Sequence, residues 1–315
     1  MTPTTSAAKR RQIMTRALAL LFVASVGAGS SFYLLVSVVP LYAASEVGAG
    51  LATGALMLST VATELLTPRL VARFGYRRVL AAGLLLLGAP ALALPVSADL
   101  ATILVVCAVR GVGFAITVVV GAAQVALLVP PERRGEGLGL YGVVVGAPSV
   151  VSLPLGVWLV GQVGYPPVFV AGALAALAGL VAVRGLRDRE PAKPEQPLGV
   201  LAGLRTPALV RPALVFSTNA MVAGVVVTFL PVAAEHASGS LAAVALLAQS
   251  AASTLTRWWA GRYGDRHGTA AGLLVPAVLV AAAGVLALVL IANPVAVVTG
   301  MAVFAPASAW PRTPA

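Results

Sequence analysis

Charge is scarce in this chain. Only 10% of its 315 residues are Asp, Glu, Lys or Arg, against roughly 25% in ordinary soluble domains, too little to clothe a fold of this size in water. Cysteine is nearly missing. The lone Cys107 excludes an intrachain disulfide and any multi-cysteine metal site, and inside an apolar run it reads as a small packing residue. The only two histidines, His236 and His267, fall in connectors. No metal cluster, phosphate-cradling glycine loop or nucleophile with an adjacent base is recognisable. No metal, cofactor or direct use of ATP is therefore expected, and the chain does not read as an enzyme. Lysine is scarce as well: of 21 basic residues only Lys9 and Lys193 are lysines, which points to a GC-rich coding sequence.

What the chain has in abundance is apolar length. Hydrophobic residues make up 59%, gathered into runs close to the roughly 20 residues that span a bilayer. The runs are 17–42, 51–67, 79–96, 100–129, 138–160, 168–183, 212–234, 241–259 and 272–291, with an interrupted one from 295. The fourth is too long for one perpendicular helix, so it is expected to tilt or to end before Pro130 and Pro131. The first is too long for a cleaved signal peptide and is followed by a complete second span.

Basic residues mark alternate connectors. Lys9, Arg10, Arg11 and Arg16 precede the first run; Arg69, Arg73, Arg77 and Arg78 lie between the second and third. Arg133 and Arg134 follow the fourth, the stretch 184–211 follows the sixth, and Arg257, Arg262 and Arg266 follow the eighth. The other connectors carry only Glu46, Asp99, Glu235 and His236. Because cytoplasmic loops retain Lys and Arg during insertion, the alternation predicts a multi-pass protein of the cell membrane with its N-terminus inside. The net charge of +11 is split among short loops beside apolar helices. It reads as topology signal and contact with lipid headgroups, not as a nucleic-acid surface.

The segment 185–197, GLRDREPAKPEQP, is charged and proline-rich and cannot span a membrane. It divides the chain into a six-helix half (1–184), a cytoplasmic linker (185–211), a partial second half (212–304) and an aberrant tail (305–315). The expected fold is all-α, about ten spans in total. Short basic loops recur after spans 2 and 8, Ala72-Arg73-Phe74-Gly75 against Asp265-Arg266-His267-Gly268, as in transporter folds built from repeated halves.

The second of these loops reads in full Gly261-Arg262-Tyr263-Gly264-Asp265-Arg266-His267-Gly268. This matches Gly-x-x-x-Asp-Arg-x-Gly, and the chain resembles a major facilitator superfamily (MFS) transporter of the drug/proton-antiporter kind. The pattern suits a tight turn: glycines permit close approach, Asp can cap the next helix, and Arg can reach across to the opposite half. The resemblance makes Arg73, Gly75, Gly261, Asp265, Arg266 and Gly268 gating-loop candidates. The first-half copy departs from the pattern, with Pro68 for the first glycine and Ala72 for the Asp.

In span 4, Arg110-Gly111-Val112-Gly113 resembles the family's arginine-bearing fourth-helix motif. Counted from Asp99, Arg110 lies roughly 16 Å into the membrane, where a charge costs at least about 2.5–3.5 kcal/mol and demands a cavity or a partner. Glu64 is the only carboxylate in an apolar run, roughly 22 Å deep counted from Ala49. Glu64 and Arg110 are thus ion-coupling candidates and an expected ion pair, coupling or structural, provided helices 2 and 4 face each other. Glu64 has Arg69 and Arg73 as alternative partners. Span 5 carries Gly142, Gly146 and Pro148, then Pro154 and Gly156. This resembles the glycine-proline motif of the family's antiporters, and Gly142 and Gly146 are expected to form a groove for a neighbouring helix. Since spans 1, 4 and 7 line the cavity in this family, the resemblance makes Tyr33, Asn219, Gln124 and Gln249 substrate-cavity candidates, each of which would equally serve as a helix-to-helix hydrogen bond.

After Phe304 the sequence turns to Ala-Pro-Ala-Ser-Ala-Trp-Pro-Arg-Thr-Pro-Ala, and prolines at this density end a helix. A one-base shift in GC-rich codons gives a glycine-rich helical continuation, so a frameshifted or shortened second half is expected. The predicted function is secondary transport of a small molecule, with proton-coupled efflux as the specific form. Protons and the bilayer are the other partners. The alternative is a non-transporting membrane protein or an inactive fragment of such a transporter.

Overall fold

The computed structural model describes residues 15–43, 45–130, 134–186, 244–245, 247–252, 283, 286 and 298–300. Six helices fill the first half: α1 (Arg16–Tyr42), α2 (Glu46–Phe74), α3 (Tyr76–Gly88), α4 (Leu100–Leu128), α5 (Arg134–Val163) and α6 (Tyr165–Arg184). A 3₁₀ segment, Ala89–Ala93, extends α3, so that all six are long and apolar enough to cross a membrane. No strand occurs among the described residues. Spans seven to ten, the linker beyond Leu186 and the tail lie outside them, apart from the short pieces named above.

Helix ends follow local chemistry. Thr15, Ser45 and Asp99 stand in extended conformation and accept from the backbone N–H of Leu18, Gly48 and Thr102, satisfying donors that a helix start leaves open. The second span begins earlier and ends later than the apolar run 51–67, because Ser45 caps it and it continues through Pro68 to Phe74. The fourth span stops at Leu128, ahead of Pro130 as expected. At 29 residues it is about 43 Å long, well beyond the roughly 30 Å hydrocarbon layer.

The six helices form two inverted triplets. α1 packs chiefly on α5 and α6, and α4 packs chiefly on α2 and α3, so each triplet's first helix is held by the other triplet's second and third. The turns repeat as well. Gly75 alone joins α2 to α3 at φ 80°, ψ 159°, and Gly164 alone joins α5 to α6 at φ 76°, ψ −178°. This region is essentially closed to residues with a Cβ, so an L-residue would be strained by about 1–3 kcal/mol. Each glycine is followed by a tyrosine, Tyr76 or Tyr165.

Packing within the half is closest at glycines. A Cβ on Gly27 of α1 would stand 2.5 Å from the Ala175 carbonyl oxygen of α6. A Cβ on Gly113 of α4 would stand 2.6 Å from the Gly83 carbonyl oxygen of α3. These are equivalent contacts in the two triplets. Hydroxyls tie the helices where backbones come near: Ser37 Oγ donates to the Leu153 carbonyl at 3.1 Å, and Tyr141 Oη to the Val118 carbonyl at 3.1 Å. Large apolar residues such as Leu58, Val61, Trp158 and Val181 are exposed.

Candidate functional site

Arg110 is only 1% exposed, the largest of the fully buried side chains. It sits ten residues into α4, about 15 Å from the helix start. Its Nη2 donates to the Ser31 carbonyl of α1 at 3.1 Å. Neither its Nη1 nor the buried Ser31 hydroxyl has a hydrogen-bond partner among the described residues. One turn further along α4, Phe114 stacks on Phe32 with ring centroids 3.6 Å apart and planes within 11°. Cys107, one turn before Arg110, is buried too. The α1–α4 contact therefore holds a positive charge in an apolar, aromatic surround with hydrogen-bonding capacity left over.

Glu64 does not supply the counter-charge. The register of α2 on α4 is set by Thr60, whose hydroxyl donates to the Gly111 carbonyl at 3.1 Å. Glu64 lies one turn beyond Thr60 and Arg110 one residue before Gly111, an axial offset of about 7–8 Å between two parallel helices. Glu64 is exposed on α2, whereas Arg110 is turned towards α1. The expected pairing does not form: α2 meets α4 here through Thr60, which heads a stripe of buried threonines along α2. Thr60, Thr63 and Thr67 are buried, and each hydroxyl donates to a carbonyl of its own helix, at 2.7, 2.7 and 2.8 Å. Sequence reasoning missed this stripe, although its spacing of three and four residues was visible. It also missed Ser31, whose role is played by a backbone carbonyl that no side-chain pattern reports.

The other candidates are dispersed. Tyr33 is half-buried and meets Phe32 edge-on, with centroids 5.3 Å apart. Gln249 is buried, one turn beyond Ala245, and Ala245 belongs to the apolar cluster of Leu34, Val38 and Val157 in the first half. The Gln249 Oε1 finds no partner among the described residues. Gln124 lies fourteen residues past Arg110 on α4, about 21 Å along the axis, in a cavity at the helix end and not beside Arg110. Asn219, Gly261, Asp265, Arg266 and Gly268 lie outside the described residues. No group of three or more metal-ligating side chains occurs among those described.

In the first loop, Arg73 is exposed in the last turn of α2, its guanidinium carbon 5.2 Å from the Phe74 ring centroid, and Gly75 makes the turn. On α5 the two glycines of the expected groove differ in their surroundings. Gly142 is exposed and a Cβ there would meet nothing within 4 Å. Gly146 and Pro148 are buried. The tight contacts with α1 are Pro148 against Gly29 and Gly156 against the Leu34 carbonyl, where added Cβ atoms would come within 3.1 and 2.6 Å. The helix runs unbroken through Pro148 and Pro154.

The family model of the Major Facilitator Superfamily matches residues 21–313. The chain belongs to that superfamily. Two inverted triplets are what each six-helix MFS half is built from. An uncharacterised MFS-type transporter of Burkholderia mallei (strain SAVP1) is 36% identical over 87 residues, 28% of this chain and 21% of that protein. A counterpart in Burkholderia pseudomallei (strain K96243) matches to the same extent. The aligned segment thus spans about a fifth of those relatives' length. Among solved structures, the xylose transporter XylE from E. coli, partially occluded and inward-open, superposes with a TM-score of 0.71 at 13% identity, covering 94% of this chain and 82% of that one. The nucleoside transporter NupG gives 0.65 at 15% identity, covering 92% and 80%. At such identities these likenesses speak for the MFS fold alone. Membership makes this a multi-pass membrane protein of a transporter superfamily, not an enzyme.

Proposed function

We propose that this chain carries a small molecule across the cell membrane by alternating access, coupled to protons moving inward as the substrate leaves. The observation that carries the reading is Arg110, buried at mid-span with Nη1 unpartnered and a neutral carbonyl as its hydrogen-bond acceptor. A charge in that position costs several kcal/mol and is expected where an ion or substrate path needs it. Glu64, on the exposed side of α2, is the carboxylate that takes and releases the proton. Arg110 biases the path electrostatically without forming a bridge with it. Tyr33 and Gln249 are the described residues assigned to the substrate path in this reading. The glycine-proline pattern of α5 favours efflux over uptake. In inside-out membrane vesicles acidified by respiration, adding a transported compound should release luminal protons and restore the fluorescence of a ΔpH-sensitive dye. If a broad panel of amphipathic and polar compounds releases no protons beyond vector-only vesicles, proton-coupled efflux is wrong.

The orientation is part of the same proposal. The starts of α1 and α3 and the ends of α4 and α6 meet at one cavity, so Arg16, Tyr76 with its neighbours Arg77 and Arg78, and Arg184 share one end of the bundle. Glu46 and Asp99 head α2 and α4 at the other end. The basic end faces the cytoplasm by the retention rule. In intact cells, a cysteine replacing Glu46 should react with an impermeant maleimide, and one replacing Arg184 only after lysis. The opposite labelling would reverse the orientation.

A further inference from the structure

A cavity of about 360 Å³ opens at the basic end of the first half, between the starts of α1 and α3 and the ends of α4 and α6. It is amphipathic. Arg16, Tyr76 and Gln124 supply its polar lining, and Leu127, Leu128 and Leu186 are among its apolar walls. Gln124 is 8% exposed and is the buried polar side chain of the described lining. Among the described residues that line the cavity none is acidic. Two helix N-termini and two C-termini meet there and largely cancel one another's dipoles; Arg16 is the charged group of the described lining, with Arg77, Arg78 and Arg184 among the described charges at the same end.

We propose that this cavity binds the phosphodiester headgroup of an anionic lipid, as a site separate from the transport path. Arg16 pairs with the phosphate, Tyr76 and Gln124 hydrogen-bond its oxygens or the glycerol, and the leucines receive the upper acyl carbons. A lipid fits better than a free anion for two reasons: the cavity lies where apolar spans end, and leucines make up much of its wall. Basic pockets between helix ends on the cytoplasmic side are suited to such headgroups, each nearby Arg adding about fivefold in affinity.

The purified full chain in detergent provides the test, with bound lipid counted by native mass spectrometry during titration with phosphatidylglycerol or phosphatidylcholine. One phosphatidylglycerol should be retained in preference to phosphatidylcholine. Arg16→Gln should weaken that retention about fivefold, and Gln124→Leu should weaken it as well. Arg16 is exposed at the first position of α1, so its variant folds even if the Gln124 variant does not. Arg69→Gln, exposed near the same end but outside the cavity, should keep the lipid. Equal retention of both lipids would overturn the proposal, as would an Arg69→Gln loss as large as that of Arg16→Gln. Displacement of the lipid by millimolar inorganic phosphate would overturn the lipid assignment in favour of a free-anion site. None of these outcomes depends on transport activity.

Discussion

Arg110→Met protein should insert and fold at least as stably as the parent while losing more than tenfold of its substrate-dependent proton release. Two costs decide the direction. Holding a guanidinium at mid-span is unfavourable by about 2.5–3.5 kcal/mol even on the mildest insertion scales. What it receives in return is one hydrogen bond to the Ser31 carbonyl, worth roughly 1.5–3 kcal/mol for a charged donor. No carboxylate is left stranded when the charge goes, because Glu64 is turned away on α2, and exchanging a buried ion for an apolar side chain of similar volume is then often neutral or stabilising. A residue kept for structure would behave the opposite way. The check is a pair of measurements on one preparation: melting temperature in detergent and proton release in inside-out vesicles. A melting point lowered by the equivalent of about 3 kcal/mol or more would make Arg110 a structural ion. Transport at the parent rate would remove it from the mechanism. Arg110→Lys keeps the charge but loses the planar fork, so partial activity is expected from it.

The same residue shows what the sequence could and could not supply. That Arg110 would be buried followed from its depth in an apolar run, since lipid leaves a charge no other place. Its partner did not follow, because rotation about the helix axis is set by packing and not by depth. Counting along two helices gave an offset that two side chains can span. The Thr60–Gly111 contact then fixed the register, and α1 presented a carbonyl where a carboxylate was expected. Span number in the first half and the common end of the basic connectors were legible for a stronger reason, since hydrophobic length and charge placement are themselves what the bilayer selects. The inverted triplets were written in the sequence as Gly75-Tyr76 and Gly164-Tyr165, a signal too short to stand out until both glycines are seen at positive φ.

Glycines also give the second large effect, and they test where helices truly meet. Gly113→Ala should destabilise the protein by about 1–3 kcal/mol, as overpacking does when a well-packed contact cannot yield. The added methyl would stand 2.6 Å from the Gly83 carbonyl oxygen and 2.8 Å from the Leu86 carbonyl carbon, and these are backbone atoms with no rotamer to escape into. Gly27→Ala should behave alike, because it meets the Ala175 carbonyl of α6 in the equivalent contact of the other triplet. Gly142→Ala should do the reverse. Its methyl would enter open space, and replacing glycine within a helix recovers about 0.5–1 kcal/mol of backbone entropy. Thermal unfolding of the three variants in one detergent separates the cases. Destabilisation by Gly142→Ala as large as that by Gly113→Ala would mean that a helix occupies the Gly142 groove in the membrane. The sequence motif would then have located the α5 contact better than Gly156 and Pro148 do. A neutral Gly142→Ala, with both Gly27→Ala and Gly113→Ala melting early, would place the close contacts of the first half on the outer helices of each triplet.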